Sequence, residues 1–162
     1  MIFSFCVLDE KCLVLCKTGL YWLKASDIIG VIKINLRGQQ NGVKKLNKDF
    51  SVCKVKDYSL VNLDAEYSFV GKTDEERSLV CITNDVPSNV IQRDDGWKGF
   101  RVQGVLDFSL VGILSEISDI LSDNGISIFA ISTYNTDYIL IKKENYQKAL
   151  DVLKHSGYKI SD

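Results

Sequence analysis

Excess charge of either sign is what this chain most lacks: 20 Lys and Arg stand against 21 Asp and Glu, leaving −1 over 162 residues. A balanced chain has no general attraction to nucleic acid or to an acidic membrane surface. The one basic cluster, Lys44, Lys45 and Lys48, reads as a solvated edge rather than a phosphate patch. Histidine is almost absent too. His155 stands alone in the last turn of an expected helix, with no Ser or Cys in a nucleophile motif near it, and one imidazole without an orienting partner is not a catalytic constellation. No acidic pair has a spacing that suggests metal or glycosidase chemistry. The chain therefore reads as a non-enzyme, with no metal and no cofactor expected.

Two motif fragments are incomplete. Gly71, Lys72 and Thr73 resemble the end of a phosphate-binding loop, but Glu66 stands where the leading glycine belongs, so the backbone amides cannot converge on phosphate. The five cysteines lie at 6, 12, 16, 53 and 81. Cys12 and Cys16 have ligand-like spacing without a second pair to complete a tetrahedral set, and on one face of a strand thiols also serve as small hydrophobes. A structural disulfide is disfavoured in a cytosolic chain. The apolar start is broken by Asp9, Glu10 and Lys11 and has no basic leader, so it is read as neither signal peptide nor membrane span, and the location expected is cytoplasmic.

What is present is pattern. Phe100, Val102 and Gly104 alternate with Arg101 and Gln103, as in a strand with one buried face. Leu110, Ile113, Leu114, Ile117, Ile120 and Leu121 then form a helical stripe, with Ser109 the expected N-cap and Gly125 the residue that closes the helix. Residues 126–131 predict a strand apolar on both faces, a hint that something beyond the helix covers its second side. A polar turn, Ser132 to Asp137, leads to a strand at Tyr138 to Ile141, and Tyr146, Ala149, Leu150 and Leu153 line a helix ending near Gly157. A closing strand makes one small α/β sandwich.

Upstream the pattern is weaker. Phe50, Val52 and Lys54 to Val55 predict a strand, Asp57 to Asp64 is too short and mixed for a helix, and Tyr67 to Val70 with Arg77 to Ile82 predicts a hairpin. Asn84 to Asp95, holding the only proline, Pro87, is expected as a turn or helix start. At the start, Ile2 to Leu8 and Cys12 to Leu15 suggest a hairpin, with a third strand after Ser26 and Asp27. Because Met1 is the only methionine, residues 1–45 are alternatively read as an extension preceding a true start at Val43.

The stretch with Trp97, Gly104 to Leu114, Gly125 to Lys142, and upstream Lys72 to Cys81, resembles the ACT domain, in particular tandem-ACT proteins related to the CASTOR-type arginine sensors. The resemblance implies a ferredoxin-like βαββαβ unit at 96–162 preceded by a degenerate ACT-like unit at 46–95, and an amino-acid ligand held at a unit or subunit interface, with a homodimer or a regulated protein as partner. Two readings of the polar residues stand open. In one, the Gly104 to Ser109 connection, with Asp107, Phe108 and Ser109, offers amide donors to a carboxylate, Asp137 receives an ammonium or guanidinium group, and Phe108 and Tyr134 wall the side chain. In the other, Asp107 and Ser109 cap the helix, and Ser132, Thr133, Asn135, Thr136 and Asp137 are ordinary turn residues. The resemblance adds Gly112 and Ile113 at the helix start and points again to Ser132, Thr133, Tyr134 and Asp137. A ligand-free protein-interaction module using the same surface, motivated by apolar faces at Phe129 and Ile131, is the alternative function.

Overall fold

A computed structural model of the chain describes residues 7–8, 11–16, 19–24, 42–103 and 112–162. The chain divides into two bodies, Met1–Gln40 and Asn41–Asp162. In the first, β1 (Val7–Leu8), β2 (Lys11–Cys16) and β3 (Gly19–Lys24) form an antiparallel meander. The expected hairpin is there in part, while the strand beside β2 is Gly19–Lys24; the segment after Asp27 lies outside the described residues.

The second body is, among the described residues, one seven-stranded sheet with two α-helices. Its strands are β4 (Gly42–Val55), β5 (Ser68–Lys72), β6 (Arg77–Ile82), β7 (Val90–Gln103), β8 (Phe129–Ser132), β9 (Asp137–Lys142) and β10 (Lys159–Ser161). The helices are α1 (Ile113–Asp123) and α2 (Lys143–His155). Hydrogen-bonded order runs β5-β6-β4-β7-β9-β8, with β10 parallel to the start of β4. The long antiparallel pair β4 and β7 is the axis. The end of β4 serves β6 while the end of β7 serves β9, so β4-β5-β6-β7 and β7-β8-β9-β10 trace the same path through the sheet. Among the described residues only the second passage carries α-helices; the first has a single 3-10 turn, Thr83–Asp85. There the start of β4 lies between β7 and β10, through the pairs Val43 with Val102 and Ile160 with Val43.

Residues 90–95, expected as a turn or helix start, belong to strand β7, because β4 offers a ladder that the local sequence does not reveal. Three register shifts along that ladder, near Asp49, Ser51 and Val55, add the bends that let so long a pair twist. Ser51 sits at one of them, fully buried; its hydroxyl donates to Asp95 (2.5 Å) and lies 3.0 Å from Thr83 Oγ1. Arg93 Nε donates to the same Asp95 carboxylate at 2.7 Å.

Helix ends follow backbone chemistry. Gly125 (φ 69) and Gly157 (φ 97) take the left-handed conformation that ends each helix. Ile126 N–H bonds to Leu121 O while Gly125 N–H bonds to Ser122 O, and Tyr158 and Gly157 repeat this on Leu153 and Lys154. That cap uses Ile126, so β8 begins at Phe129 rather than at 126. At its start α1 also differs from expectation. Gly112 (φ 96), not Ser109, is the N-cap, and no described side chain caps it. The stripe itself holds: Ile117 and Leu121 are buried, and Ile113, Leu114 and Ile120 pack against the helix-side core with Val43, Phe100, Ile139, Ile141 and Leu153.

The second side of β8 and β9 is covered by the sheet itself. Phe50, Tyr67, Phe69, Trp97, Phe129, Ile131 and Tyr138 share one cluster. Phe69 on edge strand β5 comes within 5.0 Å, ring to ring, of Tyr138 on β9, although β6, β4 and β7 intervene in hydrogen-bonded order. The sheet therefore curls, with its helix-free side concave. Phe129 and Ile131 face this interior, so the two-sided apolar pattern of residues 126–131 marks an internal core rather than a docking surface.

Close packing at the axis requires Gly99. A Cβ there would lie 2.8 Å from Leu140 Cδ2 and 3.2 Å from Leu46 Cδ1, both side chains buried. Gly99→Ala should therefore lower unfolding free energy by about 1–3 kcal/mol, read as a lower denaturant midpoint at constant slope. A second expectation concerns acid. The Arg93 guanidinium and then the Ser51 hydroxyl hold the Asp95 carboxyl below its ordinary value. Its contribution is complete above the unfolded value near 3.9 and is lost as pH falls through the depressed folded value. Asp95→Asn should flatten the dependence of the melting midpoint on pH below about 4 and leave the shape of the neutral region unchanged.

Candidate functional site

The β8-β9 turn is the most constrained polar feature of the second passage. Thr133 N–H bonds to Thr136 O at 3.0 Å, and Thr133 Oγ1 donates to the same carbonyl at 2.7 Å. Thr136, one of two buried polar residues among those described, sends its hydroxyl to Val102 O at 2.6 Å. The turn is thereby fastened to the end of β7, from which residues 104–111 lead to α1. Of the two polar segments read from the sequence, the hairpin turn is thus held at the end of β7, and the strand-to-helix connection lies outside the described residues.

The β5-β6 turn holds the same place in the first passage. Thr73 N–H bonds to Glu76 O at 2.9 Å, and Thr73 Oγ1 accepts from the Glu75 and Glu76 amides. Its chemistry has diverged. Glu76 occupies the position of Thr136, is exposed, and faces Lys54 at 4.0 Å. A carboxylate cannot donate to a strand carbonyl as the threonine hydroxyl does. The first turn is consequently not fastened to the strand end in this way.

Of the residues predicted from sequence, Asp107, Phe108 and Ser109 lie outside the described residues. Gly112 sits exposed at the helix start, where the first-turn amides of α1 lack a described side-chain cap. Ile113 is half-buried against the helix-side core, so its side chain serves packing. Ser132 ends β8 opposite Asp137, which is half-buried at the entry of β9. Tyr134 is 82% exposed and walls no enclosed cavity within the described chain. Thr136, read only as a turn residue, is the member that sequence reasoning undervalued. Its signal was faint: a Thr spaced as in the earlier Thr73 to Glu76 turn, directly before a strand.

The two described cysteine side chains, Cys53 and Cys81, are buried. Burial pushes the Cys81 thiol up to about 12 and raises Cys53 as well, which suits small core residues and opposes thiolate formation. Among the described residues no group of three or more His, Cys, Asp or Glu could hold a metal ion. His155 is exposed, its Nδ1 lying 2.6 Å from the Asp151 carbonyl one turn back, and no nucleophile joins it. No helix among the described residues is long and apolar enough to cross a membrane.

Residues 92–155 match the family model of the ACT domain. Among solved structures, the chain is similar to an Agrobacterium tumefaciens protein at 28% identity and TM-score 0.67, over 75% of this chain and 92% of that one. A Vibrio cholerae protein, described as of unknown function and a possible transport protein, matches at 21% and 0.61, over 78% and 97%. The ligand-free regulatory subunit of aspartate kinase from Thermus thermophilus matches at 8% and 0.53, over 70% and 96%. At the last two identities the likeness is one of fold. No curated protein matches the sequence. An ACT domain is therefore found in the second passage of the sheet, and the mixed α/β fold is of the ferredoxin-like ACT kind.

The fastening of the turn is open to direct test. Thr136→Val keeps the shape but removes the donor to the buried Val102 carbonyl. A loss of about 1–3 kcal/mol is expected, with faster amide hydrogen exchange at residues 133–136 than in the parent protein.

Proposed function

We propose that this chain is a regulatory ligand-binding protein made of two ACT-type units sharing β4 and β7, the first without an α-helix among the described residues and the second an ACT domain. The observation that carries the reading is the turn fastened by Thr136 to the end of β7, which holds the next residue, Asp137, close to that strand end; in sequence, residues 104–111 then lead on to α1, whose start no described side chain caps. A helix N-terminus favours a carboxylate, and Asp137 suits an ammonium or guanidinium group. The ligand class that carries both charges is an amino acid or a close analogue. The exposure of Tyr134 favours a site completed by a second unit, as in a homodimer. The ACT match over residues 92–155 supports a regulatory ligand-binding role. Relation to the arginine sensors, cytoplasmic location and an output through a regulated protein partner belong to the same proposal.

In this mechanism a ligand that contacts two units stabilises their docked arrangement by its differential affinity for that state, and shifts the population by no more than that. The competing docking-module reading loses its motivation, because Phe129 and Ile131 pack in the concave core.

Thermal unfolding against the common amino acids at millimolar concentration tests the reading. A ligand at ~100 times its dissociation constant adds about 2.7 kcal/mol, which moves the midpoint of a chain this size by several degrees. A selective rise, absent in an Asp137→Ala variant that melts like the parent without ligand, is the expected result. Equal calorimetric affinity in parent and variant would sink the site, and no rise with any amino acid would sink the ligand class.

A further inference from the structure

The concave side of the sheet has a mouth that the turn site does not use. A groove of about 320 Å³ opens there, lined by Val52, Lys54, Glu76, Ser78, Asp94 and Phe129 among others. Those six residues come from β4, the β5-β6 turn, β6, β7 and β8, so both passages of the sheet contribute. Val52 and Phe129 belong to the aromatic interior and supply an apolar floor.

Charges of both signs surround that floor. Lys54 Nζ and Glu76 Oε2 stand 4.0 Å apart, both partly exposed, and Lys54 has no other partner among the described residues. Ser78 Oγ donates to the other Glu76 oxygen at 2.8 Å. Asp94 takes the Lys142 ammonium at 2.7 Å, and that ammonium sits 4.3 Å over the Trp97 ring. Behind Phe129, whose ring lies 6.0 Å from that of Trp97, the Trp97 indole N–H is buried with no hydrogen-bond partner. A buried donor left unpaired is uncommon in a folded chain.

We propose that this groove is a second ligand site, for a small zwitterion whose ammonium and carboxylate are joined by a short apolar body. Lys54 receives the carboxylate, Glu76 and Asp94 face the ammonium, and the apolar body covers Val52 and Phe129. Lys54 and Glu76 gain little from each other in water, so a ligand that separates them sacrifices little and forms two charge-assisted contacts. A singly charged ligand satisfies one partner and leaves the other, which sets the preference for both charges on one molecule. The volume lies at the small end of ligand sites and limits the body to a few carbons. The inference is independent of the turn site, since none of these groups belongs to residues 132–137.

Tryptophan supplies the readout. Trp22 and Trp97 are the only two in the chain, so the Trp97 indole N–H resonance is assigned by Trp97→Phe. The full chain is titrated with the common amino acids, β-alanine and glycine betaine, with acetate and ethylammonium at equal ionic strength as single-charge controls. The expected result is a saturable shift of that resonance with at least one zwitterion and with neither control. Dissociation constants should rise at least about tenfold in Lys54→Gln and in Glu76→Gln, and stay unchanged in Asp137→Ala. No saturable shift with any zwitterion overturns the proposal. So does a shift of equal strength with the controls, or one that both groove variants retain; a shift lost in Asp137→Ala but kept in those variants assigns binding to the turn instead.

Discussion

The antiparallel ladder between β4 and β7 is the constraint on which the rest of the second body depends. Each strand is 14 residues long, and each serves both passages of the sheet. A flat pair of that length could not carry β6 and β9 on opposite flanks and still bring β5 round to β9. Register shifts at three places supply the extra twist. Gly99 lets Leu46 and Leu140 meet across the axis, and the Tyr146 hydroxyl, pushed up to about 12 by burial, donates to the Gly99 carbonyl at 2.8 Å. Ser51, Asp95 and Arg93 hold the ladder where its register slips.

Curling divides the apolar residues into an outer core under the helices and an inner aromatic core. The two passages use the outer side differently. In the second, α1 and α2 cover Phe100, Ile139 and Ile141. In the first, Cys53, Val55, Leu79 and Cys81 hold corresponding places and are covered by Tyr58, Val61 and Val86 from irregular segments and by Val90 at the start of β7. Smaller side chains under a thinner cover are mutually consistent: thiols and valines leave less volume to enclose than phenylalanine and isoleucine. The inner core is common to both, which makes the pair a single cooperative body rather than two beads on a string.

Function follows from where the two passages differ. Both turns share threonine-centred hydrogen bonds, yet only the second is fastened to its strand end, because the Thr136 hydroxyl can donate to Val102 O and the Glu76 carboxylate cannot donate. The second turn is therefore held to its strand end by a side-chain bond that the first lacks. Glu76 instead stands 4.0 Å from Lys54 at the mouth of the concave side. The two turns of the one sheet thus differ in their chemistry.

Local sequence alone determined the elements whose causes are local. The stripe of α1, the stops at Gly125 and Gly157, the β5-β6 hairpin, the polar β8-β9 turn and the absence of a helix at 57–64 all follow from periodicity and from what glycine and short polar side chains do to the nearest backbone. The tertiary structure decided whatever depends on partners far along the chain. Residues 90–95 are strand because β4 is there to pair with them; Ile126 caps α1 because Leu121 and Ser122 offer their carbonyls; Phe129 and Ile131 are interior because the sheet curls over them. Thr136 likewise matters only because the Val102 carbonyl lies within its reach. Pairing across long loops is set by which apolar faces can be buried together, and a period of two records that a face is buried without recording against what.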